Sequence, residues 1–118
     1  MALHLVSRHP GALAWLRRQF GDRPAHTHQH LSSDDAFAPG DLVAGVLPLH
    51  WAARLCRRGV RVWSIDVDCP ASRRGTELDA AELEAWGARL VEYRVEALPP
   101  SADHPTRGAD PLSAGATA

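Results

Sequence analysis

The sequence contains no lysine; all 13 basic residues are arginine. That excludes a lysine nucleophile, a Schiff base and a P-loop lysine. The two cysteines, Cys56 and Cys69, match no metal spacing and no C-x-x-C motif. A reducing, cytoplasmic setting is therefore expected. No apolar stretch approaches the roughly 20 residues of a membrane span. The opening Met1 to His9 lacks the basic start and long apolar run of a signal peptide. Neither sign of charge dominates, since the formal net charge is -1. Duplex nucleic acid is thus not an expected partner, and any anion site must be local. G-x-G-x-x-G, Walker A, H-E-x-x-H and G-x-S-x-G are all missing. Dinucleotide, P-loop, zincin and hydrolase-elbow readings have no motif to rest on. There is no internal repeat.

What is present fits one domain, because 118 residues leave no room for a second core. Hydrophobic residues at 45% and charged residues at 23% are globular values, so the body is expected to fold. Residues 3–7 read as a short buried strand. Pro10 opens a helix with Ala12, Leu13, Leu16 and Phe20 on its apolar face, and Gly21 stops it. Residues 25–31 alternate and predict a second strand. Residues 42–47 form a nearly continuous apolar run, as expected of a central strand covered on both faces. After Pro48, the residues Leu49, Ala52, Ala53 and Cys56 recur at helical spacing until Gly59. Residues 60–67 predict a fourth strand and Asp68 to Leu78 a loop. Asp79 with Glu82 resembles a capping box for a helix carrying Leu83, Trp86, Gly87 and Leu90. Val91, Tyr93 and Val95 then alternate with charges, like a sheet edge with one wet face. The resulting order, β-α-β-β-α-β-α-β, predicts an α/β fold: a mostly parallel sheet of five strands with helices on its faces. Residues 1–98 form this domain, and the Pro- and Ala-rich residues 99–118 read as a disordered tail.

In such sheets ligands bind beyond the carboxyl ends of the strands. Three predicted loops fall there. The first, Ser7-Arg8-His9-Pro10-Gly11, offers a hydroxyl, a guanidinium, an imidazole and a helix start suited to phosphate. The second, Leu47-Pro48-Leu49-His50, opens another helix; before it, Gly45 permits close approach of a ligand or a neighbouring strand. The third runs from Asp66 to Gly75 and carries Arg73 and Arg74, whose guanidinium groups suit phosphate. Each loop also has a plain structural reading, in which caps and solvated arginines do no chemistry. His26, His28 and His30 share one strand face at period two. Their spacing of about 7 Å is too wide for three to converge on one zinc ion, so no metal site is expected.

Taken together, Leu5-Val6-Ser7-Arg8-His9-Pro10-Gly11-Ala12 with Trp15, Pro39-Gly40-Asp41, Gly45-Val46-Leu47-Pro48, Cys56-Arg57-Arg58-Gly59-Val60-Arg61 and Arg74-Gly75-Thr76-Glu77-Leu78 form a pattern. It resembles the small CRISPR-associated proteins of the Csx class encoded beside type III systems, in particular the single-domain ring nucleases related to CARF domains. The resemblance runs from about Leu3 to Glu96 and leaves out the three-histidine strand and the tail. It implies a small Rossmann-like, CARF-related fold and a homodimer. It implies a cyclic oligoadenylate ligand, chiefly the four-membered ring, and metal-independent cleavage to linear adenylates with 2′,3′-cyclic phosphate ends, with no cofactor.

Carried onto these residues, Arg8 would stabilise charge on the phosphorane, and His9 or His50 would move protons. Ser7 and the backbone around Gly45 and Pro48 would orient phosphates. Gly11, Leu47, Arg73 and Arg74 would contribute to binding, and Trp51 and Trp63 are candidates for stacking on adenine. Three other readings remain open at this level. One is a protein that sequesters the ring without cutting it. Another is a metal-dependent phosphodiesterase using His26, His28 and His30 with Asp34 or Asp35. The last is an interaction module.

Overall fold

The structure, a computed structural model, describes residues 1–73 and 78–103. Arg74 and most of the expected tail lie outside the described residues. The elements follow the expected order: β1 (Leu3–Val6), α1 (Pro10–Phe20), β2 (His26–His28), β3 (Leu42–Gly45), α2 (Leu49–Arg57), β4 (Arg61–Asp66), α3 (Ala80–Ala85) and β5 (Arg89–Tyr93), with a 3₁₀ turn at Ala71–Arg73 before α3. They build one sheet of order β2-β1-β3-β4-β5. The first four strands are parallel, and β5 runs antiparallel to β4. This is a mixed α/β domain compatible with a small Rossmann-like fold. No helix among the described residues is long and apolar enough to cross a membrane.

Alternation along the strands divides the core into two layers. Leu3 and Leu5 of β1 and Leu42 and Ala44 of β3 pack with Trp15 and Leu16 of α1 and Ala80 and Leu83 of α3. Val6, Val43 and Val62 pack on the opposite face with Trp51, Ala52 and Leu55 of α2. As its apolar run requires, β3 is buried throughout and lies between β1 and β4.

The strands are shorter than the sequence pattern. Residues 25–31 yield only His26–His28, because β2 is an edge strand whose sole neighbour, β1, ends at Val6. The Ser7 amide donates the last bond, to the His28 carbonyl at 3.0 Å, and beyond it the chain has nothing to pair with. At the other edge, α3 stops at Ala85, so Trp86 and Leu90 lie beyond the helix assigned to them from spacing. Six helical residues rise about 9 Å, whereas the six residues of β4 span about 20 Å. Too short to return the chain to the far end of the sheet, α3 delivers it beside Asp66, and β5 pairs antiparallel with Asp66 opposite Arg89.

From β2 to β3 the chain crosses without a helix. Residues 29–41 cover that part of the sheet with one fully buried side chain, Phe37, packed 4.2 Å from the His4 ring. The crossover is held by Asp41, which is 6% exposed. Its carboxylate accepts from the Ala2 amide at 2.9 Å and the Ala38 amide at 3.0 Å, and lies 3.1 Å from Nε2 of buried His4. The Ala2 and Ala38 amides, with a smaller contribution from His4, outweigh burial and hold its pKa down to about 2. Since the folded-state value is depressed, this stabilisation is complete above the ordinary 3.8 and fades as pH falls towards about 2. Replacing Asp41 with Ala strands two backbone donors and an imidazole. Asp41→Ala is expected to lose about 3 kcal/mol in urea denaturation and Asp41→Asn about half that. A loss below about 1 kcal/mol for Asp41→Ala would show that solvent or rearrangement replaces these bonds.

Candidate functional site

β1 passes its chain to α1 on one face of the sheet, and β3 passes its chain to α2 on the other. The two strands are neighbours, so their carboxyl ends flank a crevice where the winding reverses. The crevice opens into a cleft of about 850 Å³. Its walls are Ser7, Arg8 and His9 after β1, Gln29, His30 and Leu31 after β2, and Val46, Leu47, Pro48, His50 and Trp51 around the start of α2.

Two helix starts meet at the cleft. Both α1 and α2 begin at it, and neither has a side-chain cap or an acidic residue in its first turn. Pro10 has no amide hydrogen and the Trp51 amide donates to the Pro48 carbonyl at 3.1 Å, so what the two helix starts turn to the cleft is chiefly the positive end of each dipole. By contrast, α3 is closed by a full capping box: Glu82 N–H donates to Asp79 Oδ1 at 2.7 Å, and Asp79 N–H donates to Glu82 Oε1 at 3.2 Å. Ser7 does not cap α1. Its Oγ accepts from the His9 amide at 3.0 Å, which folds the loop and holds the exposed Arg8 at the mouth. Arg8 pairs with no carboxylate among the described residues.

The chain matches the family model described as "Putative CRISPR-associated protein (Cas_VVA1548)" over residues 4–96. It belongs to the Cas_VVA1548 family. No curated protein and no solved structure matches it. Apart from Leu3 at the start of β1, the stretch matched by the Cas_VVA1548 model takes in every described strand and helix and the whole cleft lining.

Within this Cas_VVA1548 protein, the residues singled out from sequence separate into two groups. Ser7, Arg8, His9, Leu47, Pro48, His50 and Trp51 all reach the cleft. Gly11, Gly45, Arg73 and Trp63 are not in its walls. A Cβ on Gly11 would lie 2.2 Å from the Leu78 carbonyl oxygen, so this glycine lets the start of α1 press against the segment before α3. A Cβ on Gly45 would lie 2.1 Å from the Val6 carbonyl oxygen, and its φ is +152°. The close approach that Gly45 permits is therefore that of β1, not of a ligand. Arg73 pairs with Glu82 at 2.7 Å and lies 5.9 Å from the Trp86 ring centre, on the α3 side. Trp63 packs in the layer with α1 and α3.

The histidines are arranged otherwise than their spacing suggests. His26 and His28 flank His4, each with ring centres 5.2 Å from it. His30 lies beyond the strand and enters the cleft. Among the described residues, no three His, Cys, Asp or Glu side chains gather to hold a metal ion. Instead, a polar chain runs Asp41–His4–His28. With Nε2–H of His4 donating to Asp41, Nδ1 of His4 accepts from Nε2–H of His28 at 3.0 Å. His4 was not identified from sequence. A histidine inside the apolar run Leu3–Val6, together with an aspartate before a central strand, was the available signal.

Burial, then the neighbouring His4 and His26, push the His28 pKa below 6.5. As pH falls through 6.5 the unfolded chain takes up this proton first, so the folded state loses stability. The contribution is whole above 6.5 and shrinks below it. Between about pH 7.5 and about pH 5.5, the wild type is expected to lose more urea stability than His28→Gln. Equal losses would show that His28 titrates as it does in the unfolded chain.

Proposed function

We propose that this Cas_VVA1548 protein is a ring nuclease, related to CARF domains, that binds cyclic oligoadenylate and opens the ring, ending type III CRISPR signalling. The observation that carries the reading is the convergence of two uncapped helix starts and Arg8 on one cleft. Such a cleft suits a ligand with several phosphates. The family's CRISPR association gives that ligand a context. The resemblance to ring nucleases rests most on residues 6–11, and of these Val6, Ser7, Arg8 and His9 line this cleft.

The chemistry proposed is intramolecular. The cleft holds a ribose so that its 2′-oxygen lies in line with the adjacent phosphorus. That oxygen attacks, the P–O5′ bond breaks, and a 2′,3′-cyclic phosphate and a 5′-hydroxyl result. The proton leaving the 2′-hydroxyl passes to an imidazole, and an imidazole returns one to the departing 5′-oxygen; His9 and His50 fill these roles. Arg8 stabilises the charge on the phosphorane, and the amides of α1 and α2 hold the non-bridging oxygens. A four-membered ring has two-fold symmetry, so a homodimer presenting the same cleft twice would match it.

In excess chelator, the purified protein is expected to convert cyclic tetra-adenylate to linear adenylates ending in a cyclic phosphate, resolved by chromatography. Arg8→Ala should lower the rate at least about 100-fold. Binding without cleavage would identify a sequestering protein, activity lost to chelator a metal-dependent phosphodiesterase. An intact, unbound ring would overturn the reading.

A further inference from the structure

A second cavity, of about 260 Å³, lies between α2 and the β4–β5 edge of the sheet. It adjoins the main cleft, because Leu47 lines both. Its character is different. Leu47, Leu49, Ala52, Val62 and Val95 make apolar walls, and the polar groups are Ser64, Asp66 and Tyr93. No arginine or histidine lines it.

The cavity follows from the sequence of the elements around it. Val62, Ser64 and Asp66 alternate onto the face of β4 that meets α2. Ala52 and Ser64 are small, so α2 and β4 leave space between them. Tyr93 on β5 stands opposite Val62 and donates its hydroxyl to Asp66 Oδ2. The other carboxylate oxygen, Oδ1, has no hydrogen-bond partner among the described residues.

From this pairing of apolar walls with a half-engaged carboxylate, we infer that the second cavity is a base-recognition subsite that takes an adenine ring. A carboxylate repels phosphate and accepts from an exocyclic amine. The cavity is smaller than the 300–1,000 Å³ or so typical of drug-sized ligands, and its apolar walls suit a single planar heterocycle. Adenine presents an amine to Asp66, whereas hypoxanthine presents a carbonyl oxygen that the carboxylate rejects. The two cavities thus divide a nucleotide between them, phosphate to the helix starts and base to the α2–β4 slot. The inference rests on the nucleotide reading above and assigns it a source of base specificity.

The test uses the nucleosides adenosine and inosine, which carry no phosphate and so do not depend on the main cleft. Amide shifts in ¹⁵N-labelled protein report where each binds. Adenosine is expected to move the amides of Ser64, Asp66 and Tyr93, and to bind about ten times more tightly than inosine. Asp66→Asn keeps an acceptor for Tyr93 but turns an amide donor to the ligand, so the preference should vanish or reverse. Ser64→Leu fills the slot and should abolish the adenosine shifts while the amides of residues 7–13 stay in place. Shifts elsewhere, or an adenosine preference untouched by Asp66→Asn, would overturn the subsite. Ring cleavage with an unchanged nucleoside preference sinks the subsite alone. Adenosine bound at Ser64 and Asp66, with cyclic tetra-adenylate ignored, keeps the subsite and sinks the nuclease.

Discussion

One buried carboxylate organises the sheet that carries the cleft. A parallel connection between β2 and β3 would ordinarily be covered by a helix, but residues 29–41 supply none. Asp41 replaces that helix with directed bonds. It ties the start of β1 through Ala2, the crossover through Ala38 and the middle of β1 through His4. His4 carries the connection on to His28, at the end of β2. The His28 carbonyl then accepts from the amide of Ser7, the first residue of the loop between β1 and α1. A chain of hydrogen bonds therefore runs from one end of the sheet to the loop at the other, and the low-dielectric interior makes each member depend on the next.

In a nearly neutral protein, the charge pattern of the helices concentrates positive potential locally. α3 satisfies its own N-terminus with Asp79 and Glu82, so its dipole end is quenched. α1 and α2 do not, and both open on the cleft. The first turns carry no carboxylate, and Arg8 adds a full positive charge beside them. Asp66 sits across Leu47 in the smaller cavity. One leucine, Leu47, separates the cleft with the helix starts from the cavity with the carboxylate.

The fold was legible to the extent that it rests on periodicity. The continuous run at residues 42–47 located the central strand, and the period-two stretch before it located a second strand. Pro10 and the Asp79–Glu82 pair marked helix starts. Strand ends were not legible, because they are set by where a neighbour stops: β2 ends when β1 does. Nor was the direction of β5, which follows from the length of α3 relative to β4.

The order of elements, the loops at the carboxyl edge and the Ser7, Arg8, His9, Pro48 and His50 cluster were determined by the sequence itself, since local pattern and alternation decide them. Only tertiary structure decided what the glycines and histidines do. Gly11 and Gly45 are small because Leu78 and Val6 press against them, not because a ligand does. His26 and His28 turn to His4 rather than to a metal, because a buried histidine 22 and 24 residues earlier in the chain offers them a stacking partner. Contacts between residues so far apart in sequence leave no periodic trace, so packing alone could assign them.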